Sequence, residues 1–413
     1  MNQAKPFPIT KGQVWAAYKR VKANGGSAGV DHQTLEDFAG DLKGNLYKLW
    51  NRLASGCYLP PPVKRVEIPK ATGGTRPLGV PTVADRIAQT VIKEALEPRL
   101  ELCFHPDAYG YRPGKSAKQA LQVTRQRCWK YDWVLEYDIS KFFEEIDHEL
   151  LLRALRKHVE EKWILLYIER WLKAPTAVGG EVLERTRGTP QGGVISPLLA
   201  NLFLHYVFDR WMARHHRDIP FARYADDGVV HCATLEQAEA LKAELAVRFA
   251  ECGLKLHPTK TRIVYCKDTK RRGRYPVTSF DFLGFTFRSR RARGKGGAMF
   301  VTFTPAISNQ AAKAIRRVVR VWNLPRRSDC SLEHLAEKYS VVIRGWVGYY
   351  STFCRSALYP TLNYIDRKLV LWATGKFKNL RGHRARATAV LKGIVRKNPG
   401  LFPHWKMLYA MAR

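Results

Sequence analysis

Two adjacent carboxylates, Asp226 and Asp227, stand in the run Phe221-Ala222-Arg223-Tyr224-Ala225-Asp226-Asp227-Gly228-Val229-Val230, between short apolar segments of β type. Neighbouring carboxylates repel, and a half-buried hairpin gains no stability from keeping them together. A pair of Mg²⁺ ions, with Mn²⁺ as a substitute, would neutralise them and use them for in-line phosphoryl transfer. A solvated Asp-Asp-Gly turn is the competing reading, since Asp and Gly are common turn residues. A third acid weighs against it. Trp133-Val134-Leu135-Glu136-Tyr137-Asp138 runs from a mostly apolar strand into Asp138, and Ile139-Ser140-Lys141-Phe142-Phe143 follows as a polar-aromatic helix start. Three acids from two segments suffice for two oxygen-ligated metals whose other positions are filled by water and triphosphate oxygens. Asp138 also has a plainer reading as a helix N-cap, worth about 1 kcal/mol.

Other segments carry the features needed to present a nucleotide to such acids. In Gly188-Thr189-Pro190-Gln191-Gly192-Gly193-Val194-Ile195-Ser196-Pro197-Leu198 the glycines let the backbone approach another body closely. Ser196-Pro197 reads there as a helix start, with Ser196 the N-cap and Pro197 the first helical residue. Gln191 and the Gly192-Gly193 backbone are then placed to contact an incoming nucleotide and the templating base by shape. Lys70 and Arg76 flank Ala71-Thr72-Gly73-Gly74-Thr75, which reads as a β-hairpin turn. Two long cations at the base of a hairpin can close over a triphosphate, Arg by bidentate contact and Lys as a point charge. Alone, they also fit two solvated charges.

Taken in order, these blocks resemble the reverse transcriptases encoded by group II introns. Gly29-Val30-Asp31 with Thr34 and Phe38 looks like their N-terminal extension, and Ile68-Pro69-Lys70 through Arg76-Pro77-Leu78-Gly79-Val80-Pro81 like the first finger block. Tyr109-Gly110-Tyr111-Arg112-Pro113-Gly114-Lys115-Ser116 looks like the second, while Gly253-Leu254-Lys255-Leu256, Lys260-Thr261 and Phe282-Leu283-Gly284-Phe285 complete the set. The resemblance implies an α+β right-hand polymerase, with fingers and palm around an antiparallel catalytic sheet, followed by an all-helical thumb or maturase domain. It implies Asp138, Ile139, Asp226 and Asp227 as metal contacts, and Lys70, Arg76, Phe143, Gln191 and Tyr224 as nucleotide contacts. Phe143 would exclude a 2′-hydroxyl and so select deoxynucleotides, its neighbour Phe142 being the alternative ring. Arg112 would either touch the template phosphate or brace its loop by a salt bridge. Lys260 could protonate the pyrophosphate leaving group, although an exposed lysine needs no such role.

Charge gives an independent line. The 413 residues carry a net charge of +34, which implies a polyanionic partner, because Lys and Arg release condensed counterions from a phosphate backbone. From Phe282 onward 26 Lys or Arg face four acids, Asp329, Glu333, Glu337 and Asp366, so most of the excess lies in the last third. That region reads as helical. Ile307, Ala311, Ile315, Val318 or Val319, and Trp322 recur at helical spacing, with Lys313, Arg316, Arg317 and Arg320 on other faces. The three arginines are therefore candidate nucleic-acid contacts, with Gly192 and Arg112. Leu335, Tyr339, Ile343, Trp346, Tyr350 and Phe353 form a second stripe, read as thumb core rather than a stacking platform. Gly345-Trp346-Val347-Gly348-Tyr349-Tyr350 looks like the maturase domain of the same family. The expected order is an N-terminal extension (1–65), fingers and palm (66–287), a linker or hairpin (288–303), the helical thumb (304–380) and a basic extension (381–413) that contacts DNA or is disordered.

No run approaches the ~18 uninterrupted apolar residues of a membrane span, and the start shows neither a secretory nor an Arg-rich targeting pattern, so a bacterial cytoplasmic or nucleoid location is the expectation. The eight cysteines are scattered without a C-x-x-C pair, which argues for reduced core thiols over a zinc site. The absence of a Cys- and His-bearing cluster after the thumb looks like the short branch that lacks an endonuclease domain. The leading reading is an RNA-directed DNA polymerase that also binds its parent intron RNA as a maturase, with an RNA template, a DNA or RNA primer and deoxynucleotides as partners. A relative recruited to host defence, DNA repair or a CRISPR locus, and a non-catalytic splicing cofactor, are the alternatives. The intact acids weigh against the last.

Overall fold

The structure is a computed structural model and describes residues 5–69, 74–294 and 296–409. Lys70 lies outside the described residues. The chain forms two compact units, and their sequences interleave: Met1–Thr124 with Trp133–Ile263 make the first, Arg125–Asp132 with Val264–Arg413 the second.

The first unit holds two sheets. The finger sheet has β1 (Val63–Pro69) and β2 (Thr75–Val80) antiparallel. The palm sheet opens with β3 (Trp133–Tyr137), whose side chains are nearly all buried. The short strands β4 (Thr176–Val178) and β5 (Glu181–Leu183) then extend the finger sheet in the order β2-β1-β4-β5, with β1 and β4 parallel. The palm continues with β6 (Phe221–Tyr224), β7 (Asp227–Cys232) and β8 (Arg262–Tyr265), in the order β6-β7-β3-β8. Helices Ser196–Leu204 and Leu235–Glu251 cover one face of this sheet, with Phe208 and Phe249 against the Tyr137 ring at 5.0 and 5.8 Å. Gly228 sits across β3 from Tyr137, and a Cβ there would lie 2.2 Å from the Tyr137 ring. The glycine of the Asp-Asp-Gly run is thus needed to seat a core aromatic as much as to turn the chain.

The N-terminal segment reads as its sequence suggests. Thr34 caps helix Leu35–Gly40 with Asp37 closing a capping box, and Phe38 is buried against Tyr18. Gly29 approaches the Thr82 backbone so closely that a Cβ would come within 2.7 Å of it. Thr82 in turn caps the long helix Val83–Glu101.

The second unit contains β9 (Ser279–Phe282), β10 (Phe285–Arg293) and β11 (Met299–Ile307), antiparallel in the order β11-β10-β9. Phe282-Leu283-Gly284-Phe285 is its two-residue hairpin turn, with Leu283 at φ 50° and Gly284 at φ 80°, as a type I′ connection requires. Of the two readings of 288–303, linker or hairpin, the described residues form the hairpin: Phe285 meets Ile307 and Arg293 meets Met299 at its two ends. Phe287 and Phe303 point inward with Phe280, and that alternation carries the arginines into strand structure. The boundary expected at 287 therefore falls inside β10, and the helical region is joined in its unit by a small sheet.

The helices beyond behave as expected of a thumb. Ser308 caps Asn309–Val321, which buries Ala312, Ile315 and Val319, while Arg317 and Arg320 are exposed and Arg316 is half-buried. Ile307, read as the start of this stripe, instead ends β11. Trp322 stacks on Tyr339 and Trp346 at 4.3 and 5.4 Å, so the aromatic stripe is core. The basic end is ordered: helices Arg384–Lys397 and Pro403–Tyr409 insert Leu391, Val395, Phe402 and Trp405 into the same core. Asp366, on helix Tyr359–Lys376, accepts from Trp405 Nε1 at 2.9 Å and Tyr409 Oη at 2.8 Å, with His404 Nε2 2.8 Å away. Its apolar positions Ala387, Leu391 and Val395 are masked in the sequence by the arginines between them, which is why the segment read as a tail.

Candidate active site

The three acids converge through strand register. β6 and β7 pair Tyr224 with Asp227, leaving Ala225 and Asp226 as a two-residue turn, and β3 pairs Tyr137 with Gly228. One further residue along β3 places Asp138 opposite Asp227. The Tyr137 ring points to the helix-covered face, so Glu136 and Asp138 point to the other face. Arg262 bonds Glu136 there at 2.7 Å, and Lys260 bonds Asp138 at 2.6 Å. Asp138 is not a helix cap: the N-cap position of helix Phe142–Glu145 is Lys141, which makes no side-chain cap bond and sits at φ 48°. Ile139 pairs with Leu256 beside it, in reach of the same face by its backbone alone, since its side chain is buried.

Burial pushes the Asp227 carboxyl up to about 7, with Asp226 and Asp138 adding to it, although Asp227 keeps access to solvent. Asp226 is raised for the same reasons, burial first and Asp138 next. The Lys260 ammonium is held charged above its ordinary range by its bond to Asp138. Carboxylates crowded this way, with one lysine as counterion, are a set that added cations would stabilise. Among the described residues no three acids, histidines or cysteines form a closed metal-ligand group. The donors present fit ions that complete their coordination with water and phosphate oxygens.

The turn rests on a buried polar support. Arg223 is fully buried and grips Asp209 bidentately at 2.8 and 2.6 Å; it also donates to Asn201 Oδ1 at 3.1 Å and to the Ala225 carbonyl at 3.0 Å. Burial alone would raise Asp209, but the Arg223 guanidinium holds it below the ordinary carboxylate range. Ala225 occupies the left-handed region at φ 57°, a conformation costing about 1–2 kcal/mol in a non-glycine residue. Asn201 continues the support by donating to the Gly110 carbonyl at 2.6 Å, and a Cβ on Gly110 would lie 2.4 Å from Ala225 N. The second finger block is thus pressed directly against the acid turn. Neither Arg223 nor Asp209 was singled out from sequence. The available signal was spacing: Arg223 lies two residues from inward-facing Phe221 and so must share its buried face.

Of the nucleotide-facing candidates, Phe143 and Gln191 line a cavity of about 190 Å³, together with Leu78, Gly79, Thr189 and Pro190, among others. Phe143 is part of this wall, whereas Phe142 packs on Phe203 in the core. Arg76 donates from Nε to Gln191 Oε1 at 2.7 Å, and Gly79 N donates to the Gln191 carbonyl at 2.6 Å. The body that Gly192 approaches is strand β2, since a Cβ there would lie 2.5 Å from the Gly79 oxygen. Tyr224 is half-buried with Tyr111 6.5 Å away.

Of its two readings Arg112 takes the loop brace and not the template contact: it forks onto Glu101 at 2.6 and 2.9 Å and donates to the carbonyls of His105 and Ala108. One expectation is corrected. Ser196 is not an N-cap but the first residue of its helix, bonded to Thr189 Oγ1 at 2.8 Å. The cap comes from outside. Gln89 Oε1 accepts from Val194 N at 2.8 Å and Ile195 N at 3.2 Å, and its amide donates to Asp85 at 2.9 Å. Asp85, fully buried, also accepts from Tyr58 Oη and Trp171 Nε1, and burial lifts its carboxyl to about 6 against those bonds.

The sequence matches known families. The model for reverse transcriptase (RNA-dependent DNA polymerase) matches residues 68–287, and that for the group II intron maturase-specific domain matches residues 312–389. Protein YkfC of Escherichia coli K12 is 32% identical over 313 residues, covering 67% of this chain and 79% of that protein. The group II intron-encoded protein LtrA of Lactococcus lactis subsp. cremoris is 32% identical over 194 residues, 46% of this chain and 32% of LtrA. The putative COX1/OXI3 intron 1 protein of Saccharomyces cerevisiae is 31% identical over 197 residues, 48% of this chain and 23% of that protein. The chain belongs to the reverse transcriptase family, in the group II intron branch that carries a maturase-specific domain. Its matched span makes up most of the first relative but a third or less of the other two.

Proposed function

We propose that this protein extends a DNA or RNA primer with deoxynucleotides on an RNA template, and that its C-terminal unit binds a parent intron RNA to assist splicing and mobility. The observation that carries the polymerase reading is the convergence of Asp138, Asp226 and Asp227 on the open face of the palm sheet, with Lys260 as their counterion. Two divalent ions, Mg²⁺ or Mn²⁺, would there supply charge neutralisation and activation of the primer hydroxyl. The three carboxylates, with the Ile139 backbone, would hold those ions. Arg223 and Asp209 fix the turn from behind, so the acids need not reorganise during the reaction. Gln191 borders the cavity in which a base and triphosphate would lie, and Arg76, bonded to Gln191, would bind the triphosphate together with Lys70. The Phe143 ring in its wall would exclude a 2′-hydroxyl. Lys260, exposed and bonded to Asp138, is positioned to compensate charge and can shift toward a leaving pyrophosphate.

Asp226→Ala and Asp138→Asn should each abolish Mg²⁺-dependent primer extension on RNA, a loss of about 1,000-fold or more, while RNA affinity stays near that of the parent. Near-normal extension by either variant would overturn the assignment. No helix is long and apolar enough to cross a membrane among the described residues.

A further inference from the structure

On the helix-covered side of the palm, away from the acids, lies an open cleft of about 730 Å³ lined by Lys157, Tyr206, Arg210, Trp211, Arg214, Arg217 and Arg248, among others. None of its lining residues is acidic. Lys157, Arg210, Arg214 and Arg217 are exposed and make no ion pair among the described residues. Its floor is built. Tyr206 lies in the π-helix His205–Asp209, His158 Nε2 is 2.8 Å from the Tyr206 hydroxyl, and the Lys157 ammonium stands 4.8 Å over the ring. Arg248 is anchored to the Val207 and Tyr206 carbonyls and to Glu251, so it serves as a wall. Trp211 is half-buried, its ring 4.8 Å from that of His216, whose other neighbour is Glu244.

Stability does not account for this convergence. Arg210 and Arg214 are a like-charged i,i+4 pair on helix Arg210–His215, which costs a few tenths of a kcal/mol. The helix dipole favours cations in the last turn, which covers Arg214 and His215 but neither Lys157 nor Arg217. The field is felt inside: burial first, then His205, Lys157 and Arg210, hold the His158 imidazole below its ordinary value.

We propose that this cleft is a second nucleic-acid site, which takes the sugar-phosphate backbone of a segment other than the one presented to the acids. Four cations without an acidic partner among the described residues suit a phosphate backbone, and the partly open Trp211 ring offers a stacking face for a base. Phe208 and Phe249 place the two helices that bear the cleft on the closed face of the sheet, whereas Asp138 with Lys260 and Glu136 with Arg262 occupy the open face. A helix layer on a sheet separates the two by roughly 20 Å. The protein would therefore hold a folded RNA on one side of the palm while copying a strand on the other.

The test uses the full-length protein with its active cleft saturated by a chain-terminated primer-template. A structured RNA hairpin and a DNA duplex are titrated against that complex across a salt series. The parent should bind the added probe, and Arg210→Gln/Arg214→Gln/Arg217→Gln should weaken binding and lower the slope of log affinity against log salt by roughly 2 to 3. Lys157→Gln, from a separate element, should lower it by roughly 0.7 to 0.9. Loss in the RNA arm alone assigns the site to RNA, and loss in both arms to phosphodiester backbones generally. Thermal melting and extension of a short saturating primer-template should match the parent, which controls for folding. An unchanged slope in both arms overturns the proposal, as does polyglutamate displacing the probe as well as RNA does, which would mark an acidic protein partner instead. A parent that fails to extend primers would count against the polymerase reading and leave the binding arms intact.

Discussion

Phe142 and Phe143 are both buried, but only Phe143 borders the cavity that Gln191 and Gly79 share, and that difference decides which ring can sense a sugar. Phe143→Ala should raise ribonucleotide incorporation relative to deoxyribonucleotide, read as the ratio of kcat/KM for matched pairs. A shift produced by Phe142→Ala alone would show the rings to be misassigned. Gln89 makes a different kind of contribution, since it touches no candidate ligand and holds the backbone of Val194 and Ile195. Gln89→Leu would leave the buried Ile195 N–H, the part-buried Val194 N–H and Asp85 short of partners, at a cost of about 1–3 kcal/mol for each buried unsatisfied group. Melting should fall accordingly, and KM for deoxynucleotides should rise more than kcat falls, because the Gln191 loop is loosened while the acids stay in place. Equal loss in both parameters would argue for a general folding defect. The acids were legible in the chain because adjacent carboxylates between apolar strands are chemically odd. Gln89 was not, because the backbone groups it holds lie 105 and 106 residues away and nothing local distinguishes a buried amide from a solvated one.

At the scale of elements, the exposed face of helix Asn309–Val321 carries the charge that the composition promises. Replacing Arg316, Arg317 and Arg320 by Gln should weaken intron RNA binding and reduce its salt slope by roughly 2 to 3, with single-nucleotide turnover on a saturating primer-template changing far less. Protein-assisted splicing at low Mg²⁺ should fall with binding; an unchanged slope would place the contact elsewhere. The helix itself was readable from its period of apolar residues, with its start displaced because Ile307 closes a strand before Ser308 caps the helix. For the β10–β11 segment the sequence left hairpin and linker both open. Its inward residues Phe285, Phe287 and Phe303 are diluted by arginines and glycines, and pairing between two segments cannot be inferred from either one alone. The same limit concealed the support beneath the acid turn, where a bulge of π-helix carries Asp209 to Arg223.

For the molecule as a whole, a charge of +34 means self-repulsion in the absence of a polyanion. Raising salt from low to moderate ionic strength should therefore raise the melting temperature of the free protein by a few degrees while weakening its hold on RNA. A melting temperature that falls with salt would indicate that attractive pairs dominate. The interleaving of the two units was not visible in the sequence, because the segment Arg125–Asp132 sits amid residues of the first unit yet belongs to the second.

That interleaving sets an order of events on the ribosome. Trp129 donates to the Phe303 carbonyl at 2.9 Å, Cys266 N donates to Asp132 at 2.8 Å, and Arg271 reaches the Tyr131 carbonyl at 2.6 Å. Residues 125–132 therefore emerge well before these long-range partners have been synthesised. Their sites fill only when the chain beyond Val264 arrives, so the C-terminal unit cannot mature as an independent late domain. A split gene that supplies 264–413 as a separate polypeptide would lack this strip, and restoring it as a fused peptide is the rational way to divide the protein into working halves.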